Sequence, residues 1–301
     1  MIPTAFSAIL LSAAPLAPAP TSFDTICRST AIAARTAARR DAYHEYWIAI
    51  ATCLNGPGFH DCREEARDEL EEALELARDQ YEARLAVCCL IGQGAYNPSI
   101  DPEEFSSTID HPYLPFLPGR TLVYEMMTDE GLEHVEVTPL DETLEIDGVE
   151  CRQVRDVVFL DGEPVEDTTD FYARHEDGAV LYFGEVSQNF EDGLLDNLDG
   201  SWRTGKDGAN PGIVMPATPQ PFEAYRQEFL VGEAEDVAQV LSVHETVHVA
   251  AGTFHDCVKT KDWTPLEPGK IEFKYYAPGI GLVLEVDPET NERLELVAIL
   301  D

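Results

Sequence analysis

Four cysteines in the first third of the chain are spaced symmetrically about a glycine–proline turn. Cys27 and Cys53 are 26 residues apart, as are Cys62 and Cys88, and Gly56-Pro57-Gly58 lies between the two pairs. If the chain reverses at that turn, Cys53 lies opposite Cys62 and Cys27 lies opposite Cys88. Disulfides of this kind form in an oxidising compartment. The spacing therefore predicts an antiparallel hairpin of two helices closed by two bridges.

Helical periodicity supports this hairpin. Residues 24–54 form the first predicted helix, and apolar residues recur at spacings of three and four along the second, residues 61–93. Asp61 and Glu64 match a capping box at the start of the second helix. Cys89 could replace Cys88 as the partner of Cys27, because adjacent helical positions differ by about 100° of rotation. The alternative is that the cysteines are buried thiols.

The first 20 residues have the pattern of an export signal. An apolar run from Ala5 to Leu16 is followed by Ala17-Pro18-Ala19, which has the small-x-small form of a signal-peptidase site. The run of about 12 residues is too short to span a bilayer, and no later stretch approaches the apolar length of a membrane helix. Leader and cysteines together predict a periplasmic or extracellular protein with no transmembrane segment in its mature chain.

The charge balance excludes several classes of partner. The chain carries 20 Lys+Arg against 57 Asp+Glu, a formal net charge of -37. Such a chain repels nucleic-acid phosphates and anionic lipid headgroups, so neither nucleic-acid binding nor electrostatic membrane docking is expected. Because 44% of the residues are hydrophobic, the chain is not a disordered acidic tail. Divalent-cation binding, with calcium on surface carboxylates, is an alternative that the charge favours, although no EF-hand loop is present.

The sequence pattern changes from helical to alternating near residue 119. Residues 96–118 contain five prolines and predict an extended linker. Beyond it, β-branched and aromatic residues alternate over 121–125, 132–138, 154–159, 271–276 and 282–286, between Asp-Gly turns at 147, 161 and 177. The chain is therefore predicted to be α+β, with a helical hairpin at 24–95 and a curved antiparallel β domain at 119–301.

An internal repeat lies within the β region. Residues 137–151 align with 240–257, with three extra residues at the turn of the second stretch. The alignment predicts two similar copies, at about 113–190 and 222–301, that pair into one large half-barrel-like sheet. Cys151 and Cys257 occupy equivalent positions in the two copies. Whether they are bridged stays open.

Residues 244–248 read His-Glu-Thr-Val-His, which matches the H-E-x-x-H signature of zinc peptidases. That chemistry needs both histidines on one face of a helix, with Glu245 activating a water. The neighbouring residues favour a strand, on which His244 and His248 would lie roughly 13 Å apart. If Ala251-Gly252 forms the hairpin loop, however, His248 lies opposite His255, close enough for a two-histidine metal site. Zinc is thus an alternative to a protein without a cofactor.

The stretch between the two copies offers candidate ligand contacts. Residues 201–217 are rich in glycine and proline and include Trp202, Arg203 and Lys206. In an acidic protein, scarce cations beside an aromatic ring on a long irregular segment predict contact with a ligand. The alternative is an ordered crossover between the two halves of the sheet.

Three stretches carry a resemblance to known proteins: Pro112-Tyr-Leu-Pro-Phe-Leu-Pro-Gly119, Gly252-Thr-Phe-His-Asp-Cys-Val258 and Lys274-Tyr-Tyr-Ala-Pro-Gly-Ile-Gly-Leu-Val283. They resemble a group of uncharacterised bacterial secreted proteins and lipoproteins, over roughly residues 110–301. The resemblance implies a strongly curved antiparallel sheet, similar to the half-barrel of periplasmic lipoprotein carriers, and assigns no functional residue. The predicted function is that of an exported, non-enzymatic cell-envelope or extracellular protein that binds an apolar or polymeric ligand, or another envelope protein.

Overall fold

A computed structural model describes residues 25–301 of the chain. The predicted leader, residues 1–20, lies outside the described residues. The fold is α+β, as predicted: a hairpin of two helices precedes a large antiparallel sheet that is nearly closed into a barrel. Within residues 25–301, no helix is long and apolar enough to cross a membrane.

The hairpin consists of α1 (Ile26–Asn55) and α2 (Phe59–Ile91). The side chain of Thr25 caps α1 by accepting a hydrogen bond from the backbone N–H of Arg28. The predicted capping box at Asp61 is wrong. Gly58, in a left-handed conformation with φ 75°, is the N-cap instead and makes no side-chain hydrogen bond, so α2 begins two residues earlier than expected.

Both predicted disulfides of the hairpin are present. Cys27 is bonded to Cys88 and Cys53 to Cys62, so each end of the hairpin is closed by one bridge. The remaining three cysteines are free: Cys89 is exposed, and Cys151 and Cys257 are buried without a bridge between them. The question that the sequence left open is thereby answered in favour of Cys88.

The β region begins with a 3-10 turn at Pro102–Glu104 and contains eighteen strands. Their bounds are β1 Phe105–Ser106, β2 Ile109–His111, β3 Leu114–Phe116, β4 Thr121–Met127, β5 Leu132–Ile146, β6 Val149–Leu160, β7 Glu163–His175, β8 Val180–Glu191, β9 Leu194–Asn197, β10 Trp202–Arg203, β11 Asn210–Met215, β12 Ala224–Arg226, β13 Glu228–Phe229, β14 Val237–Val249, β15 Gly252–Trp263, β16 Glu272–Ala277, β17 Gly281–Val286 and β18 Arg293–Leu300. The five predicted strand stretches fall on β4, β5, β6, β16 and β17, with only Ile271 outside its strand.

The sheet closes through one short extended segment, residues 224–229. The path of paired strands runs β12-β14-β15-β16-β17-β18-β4-β5-β6-β7-β8-β11-β13, and its two ends, β12 and β13, are separated in sequence by Gln227 alone. β12 pairs with β14 and β13 pairs with β11, so this segment contacts both edges. A Cβ atom on Gly212 would lie 2.1 Å from the carbonyl oxygen of Gln227, so a glycine is needed where the edges meet.

Tight turns join the long strands. Asp147-Gly148 joins β5 to β6 with φ of 51° and 84°, and Asp161-Gly162 joins β6 to β7 with φ of 49° and 88°. Two consecutive residues with positive φ are the mark of a type I′ turn, whose twist matches that of the strands. The Asp-Gly pairs therefore mark these turns as predicted.

The proline-rich stretch at 96–118 is packed onto the sheet instead of spanning open space. It contains β1, which pairs with β7, and the hairpin of β2 and β3. His111 is buried with its Nε2 3.1 Å from the carbonyl oxygen of Pro216, and Tyr96 donates to the carbonyl oxygen of Pro211. The domain boundaries and the duplication drawn from the sequence stay predictions.

Candidate functional site

The nearly closed sheet encloses a cavity of about 330 Å³. The wall that β3, β4 and β5 contribute is apolar, because the side chains there are Leu114, Phe116, Leu122, Val135 and Val137. Carboxylates enter the cavity from β6, β7, β13 and β17, and from the residue before β14: Asp156, Asp170, Glu228, Glu285 and Asp236. A largely apolar cleft with a few convergent polar groups is the usual form of a small-molecule site. We call this space the barrel cavity.

Acidic residues stand directly opposite one another on the sheet beside the barrel cavity. Asp170 pairs in register with Glu185, and Asp262 pairs with Glu272. Directly opposed like charges disfavour the ionised form. Burial, and then the neighbouring carboxylates, raise the pKa of Asp170 well above its usual value, and burial raises the pKa of Glu185 to about 7.

The hydroxyl of Tyr182 bridges two of these carboxyl groups. It contacts Asp170 and lies 3.0 Å from Oε2 of Glu185. A tyrosine hydroxyl has one hydrogen to donate, so both contacts are hydrogen bonds only when one carboxyl group is protonated and donates back to the tyrosine oxygen. The geometry thus agrees with the raised pKa values of both acids. The ring of Tyr182 also stacks on Tyr172, with centroids 4.6 Å apart.

Asp156 is the cavity carboxylate with an unused acceptor. Its Oδ1 atom is buried and has no hydrogen-bond partner among the described residues. Burial, with smaller contributions from Glu166, Glu185 and Glu285, raises the pKa of this carboxyl group to about 7. An unsatisfied buried acceptor is costly, and it gains most from a donor brought by a bound molecule.

Lys274 supplies a positive charge to the same space. Its Nζ lies 3.4 Å from Glu285 and 3.6 Å from Glu272, and the attraction of Glu285 is the largest cause that raises the pKa of Lys274 well above its usual value. Arg120 also lines the barrel cavity, but its guanidinium is bonded to Asp301 at 2.8 Å. The cations that line this cavity are therefore outnumbered by its carboxyl groups.

The candidate ligand contacts predicted from the sequence do not line the barrel cavity. Trp202 is buried on β10, which pairs with β8, and its ring packs edge-on against Tyr182 with centroids 5.3 Å apart. Arg203 is exposed and its guanidinium lies over the ring of Phe171, while Lys206 is exposed in the following turn. The stretch is thus an ordered crossover carrying β10 and β11, and ligand contact by these residues stays a prediction.

The predicted histidine residues lie on the β14–β15 hairpin. His244 and His248 are on a strand, not on the helix that the zinc-peptidase signature needs, and His244 is exposed. The predicted register is wrong by two: the turn is formed by residues 250–251, so His248 pairs with Thr253, and the Nδ1 atom of His255 lies 3.2 Å from Oγ1 of Thr246. Across residues 25–301, no group of three or more His, Cys, Asp and Glu side chains is placed to hold a metal ion.

The cavity carboxylates and Lys274 were missed by sequence reasoning. The available signal was a charge two residues from an apolar or aromatic residue, on the same face of the strand, as Asp156 after Val154 and Lys274 before Tyr276. Alternation alone does not tell which face turns inward, because both faces of these strands carry polar residues. The closure of the sheet determines which face of each strand lines the cavity.

No protein-family model matches the chain, and no curated protein matches it. A solved structure that matches is that of a putative lipoprotein from Parabacteroides distasonis ATCC 8503. The match has 14% sequence identity and a TM-score of 0.34, and it covers 63% of this chain and 98% of that chain. A similarity this low carries no inference about this chain.

Proposed function

We propose that the chain is an exported, non-enzymatic cell-envelope or extracellular protein that binds an amphipathic ligand in the barrel cavity. The apolar wall would receive the hydrocarbon part, and the carboxylates would receive a protonated amine or another hydrogen-bond donor. Two disulfides that close the hairpin agree with export, because such bridges persist in oxidising compartments.

The observation that carries this proposal is the unsatisfied carboxylate of Asp156 inside a cavity with an apolar wall. A cation placed there would pair with a buried acceptor and relieve the repulsion among its acidic neighbours. Charge-assisted hydrogen bonds of this type are about twice as strong as neutral ones. An anionic ligand would meet the opposite situation and would be repelled.

The test compares three molecules that share one hydrocarbon chain. Octylamine, octanol and octanoate differ only in the head group, so calorimetric titration of the full chain separates apolar burial from head-group recognition. We expect octylamine to bind most tightly and octanoate most weakly. The isosteric variant Asp156→Asn should reduce the preference for octylamine over octanol by about tenfold, which corresponds to about 1.4 kcal/mol.

Two outcomes would reject the proposal. If none of the three molecules binds, the barrel cavity is not a site for an amphipathic ligand. If octanoate binds best, the carboxylates do not select the head group. Adding calcium or zinc to the same protein tests the alternative that the chain is a metal-binding protein. A saturable rise in melting temperature with one of these ions, in the absence of any organic ligand, would favour that alternative.

A further inference from the structure

A second cavity, of about 220 Å³, lies where the helical hairpin meets the sheet. Its lining comes from the start of α1, the end of α2 and the strand segment that closes the barrel, and it includes Arg84, Tyr96, Arg226, Phe229 and Glu235. We call it the junction cavity. The barrel cavity and the junction cavity share none of their lining residues.

Arg226 projects into the junction cavity without a hydrogen-bond partner for its Nη1 atom among the described residues. The residue is 8% exposed. Its guanidinium lies over a pair of aromatic rings that pack edge-on against each other, 4.7 Å from the centroid of Phe229 and 5.6 Å from that of Tyr96. A guanidinium that stacks on aromatic rings keeps its edge, where the N–H groups are, free to bind an acceptor.

The neighbouring charges leave the junction cavity positive. Arg84 and Glu235 form a bidentate ion pair and largely neutralise each other, with Nη2 of Arg84 2.7 Å from Oε1 of Glu235. Glu235 also accepts a hydrogen bond from the backbone N–H of Gly232. Burial is the largest cause that lowers the pKa of Arg226, and the charged side chains that act on it are Glu235 and Arg84. Tyr96 adds no charge, because burial raises its pKa to about 12. One anionic charge is therefore missing for balance.

We propose that the junction cavity binds a small aliphatic carboxylate, whose two oxygens pair with the guanidinium edge of Arg226 and whose short hydrocarbon part packs on the apolar lining. The planar fork of arginine matches the geometry of a carboxylate. Ile26, Ala31 and Ile91 and the Cys27–Cys88 disulfide supply the apolar surface. The volume accommodates a molecule of about six non-hydrogen atoms such as butyrate, given about 30 Å³ for a water molecule.

The test is calorimetric titration of the full chain, produced in an oxidising compartment, with sodium butyrate, inorganic phosphate and butylamine at equal ionic strength. We expect one butyrate per chain, weaker binding of phosphate and no binding of butylamine at this cavity. Absence of saturable butyrate heat up to 10 mM, which is tenfold above a Kd of about 1 mM, would overturn the proposal. Tighter binding of phosphate would overturn the assignment to carboxylates.

Variants locate the site. Arg226→Gln should weaken butyrate binding at least tenfold, and Arg226→Lys, which keeps the charge but loses the fork, should weaken it too. Arg63→Gln is the matched control, because Arg63 is exposed, also lies over an aromatic ring, that of Phe59, and lines neither cavity. Equal butyrate affinity in Arg226→Lys and the wild type would contradict the proposed geometry. Asp156→Asn separates the two cavities, since butyrate bound in the barrel cavity would bind more tightly once that carboxylate is removed.

Discussion

Arg84 on α2 and Glu235, which lies just before β14, form a buried ion pair that fastens the helical hairpin to the sheet. Nε of Arg84 lies 3.0 and 2.9 Å from the two carboxylate oxygens, and both side chains are almost fully buried. The partners are 151 residues apart in sequence. The contact therefore links the helical hairpin to the sheet across a long stretch of chain.

Removing one partner of this ion pair should destabilise the folded protein. Arg84→Met leaves a buried carboxylate without its counterion, so we expect a loss of about 3 kcal/mol in the free energy of unfolding. Urea denaturation followed by circular dichroism measures it. Arg78→Met is the control on the same helix, since the ion pairs of Arg78 with Glu75 and Asp79 are exposed and their loss should be undetectable. Equal effects of the two variants would show that burial of the pair does not matter.

The two disulfides should contribute unequally to stability. The Cys27–Cys88 bridge spans 61 residues and the Cys53–Cys62 bridge spans 9, and a longer loop loses more entropy when it is closed in the unfolded chain. We expect paired Cys→Ser replacements to cost about 4 kcal/mol at the first bridge and about 3 kcal/mol at the second. Denaturation without reductant compares them, with Cys89→Ser as the control. A larger loss at the short loop would contradict the entropic account.

The buried carboxyl groups predict that stability falls as pH rises. Asp156 and Glu185 have pKa values of about 7 in the folded protein, above those of unfolded acids near 4. Between about pH 4 and pH 7 the folded state therefore holds more protons than the unfolded state, so the free energy of unfolding decreases through this window. Melting temperatures at constant ionic strength measure the slope.

A single replacement tests the origin of that slope. Asp156→Asn removes one of the titrating groups without changing its shape, so it should flatten the dependence and raise the melting temperature at pH 8 by a few degrees, as about 1 kcal/mol does in a chain of this size. Glu65→Gln, at an exposed position on α2, should leave the slope unchanged. A melting temperature that rises from pH 5 to pH 8 in the wild type would contradict the prediction.

The hairpin could be predicted from sequence because its information is local. Cysteine spacing and the glycine–proline turn determine which helical positions face each other. Asp147-Gly148 marks a strand turn because few pairs of adjacent residues adopt a positive φ at both positions. The register of β14 with β15 was missed, because residues 250–251 form the turn and Gly252 begins the next strand. When the turn lies one residue earlier than predicted, the cross-strand partner of each residue changes by two positions.

The barrel cavity could not be predicted because it depends on contacts distant in sequence. Whether Asp156 and Lys274 face a cavity or solvent is decided by closure of the sheet, which residues 224–229 achieve by pairing with both edges. Nothing in the alternation of β6 or β16 encodes that closure. The prediction of ligand contacts at Trp202, Arg203 and Lys206 used a local signal, whereas recognition of the inward charges needs the closed sheet.

Closure of the barrel predicts a specific sensitivity at Gly212. A Cβ atom there would meet the backbone of Gln227 and Glu228, so Gly212→Ala should push β11 away from the closing segment and cost about 1–3 kcal/mol. Gly56→Ala is the matched control, because a Cβ on Gly56 would come no closer than 3.7 Å to the carbonyl oxygen of Thr52, φ there is -107°, and the residue lines neither cavity. Hydrogen exchange should report faster opening of residues 224–229 in Gly212→Ala, with α2 unaffected.

The same variant should also bind both test ligands more weakly. The closing segment carries Glu228 of the barrel cavity and Arg226 of the junction cavity, so octylamine and butyrate should each lose affinity for Gly212→Ala. Unchanged affinity for both ligands would show that ligand binding does not depend on closure of the sheet.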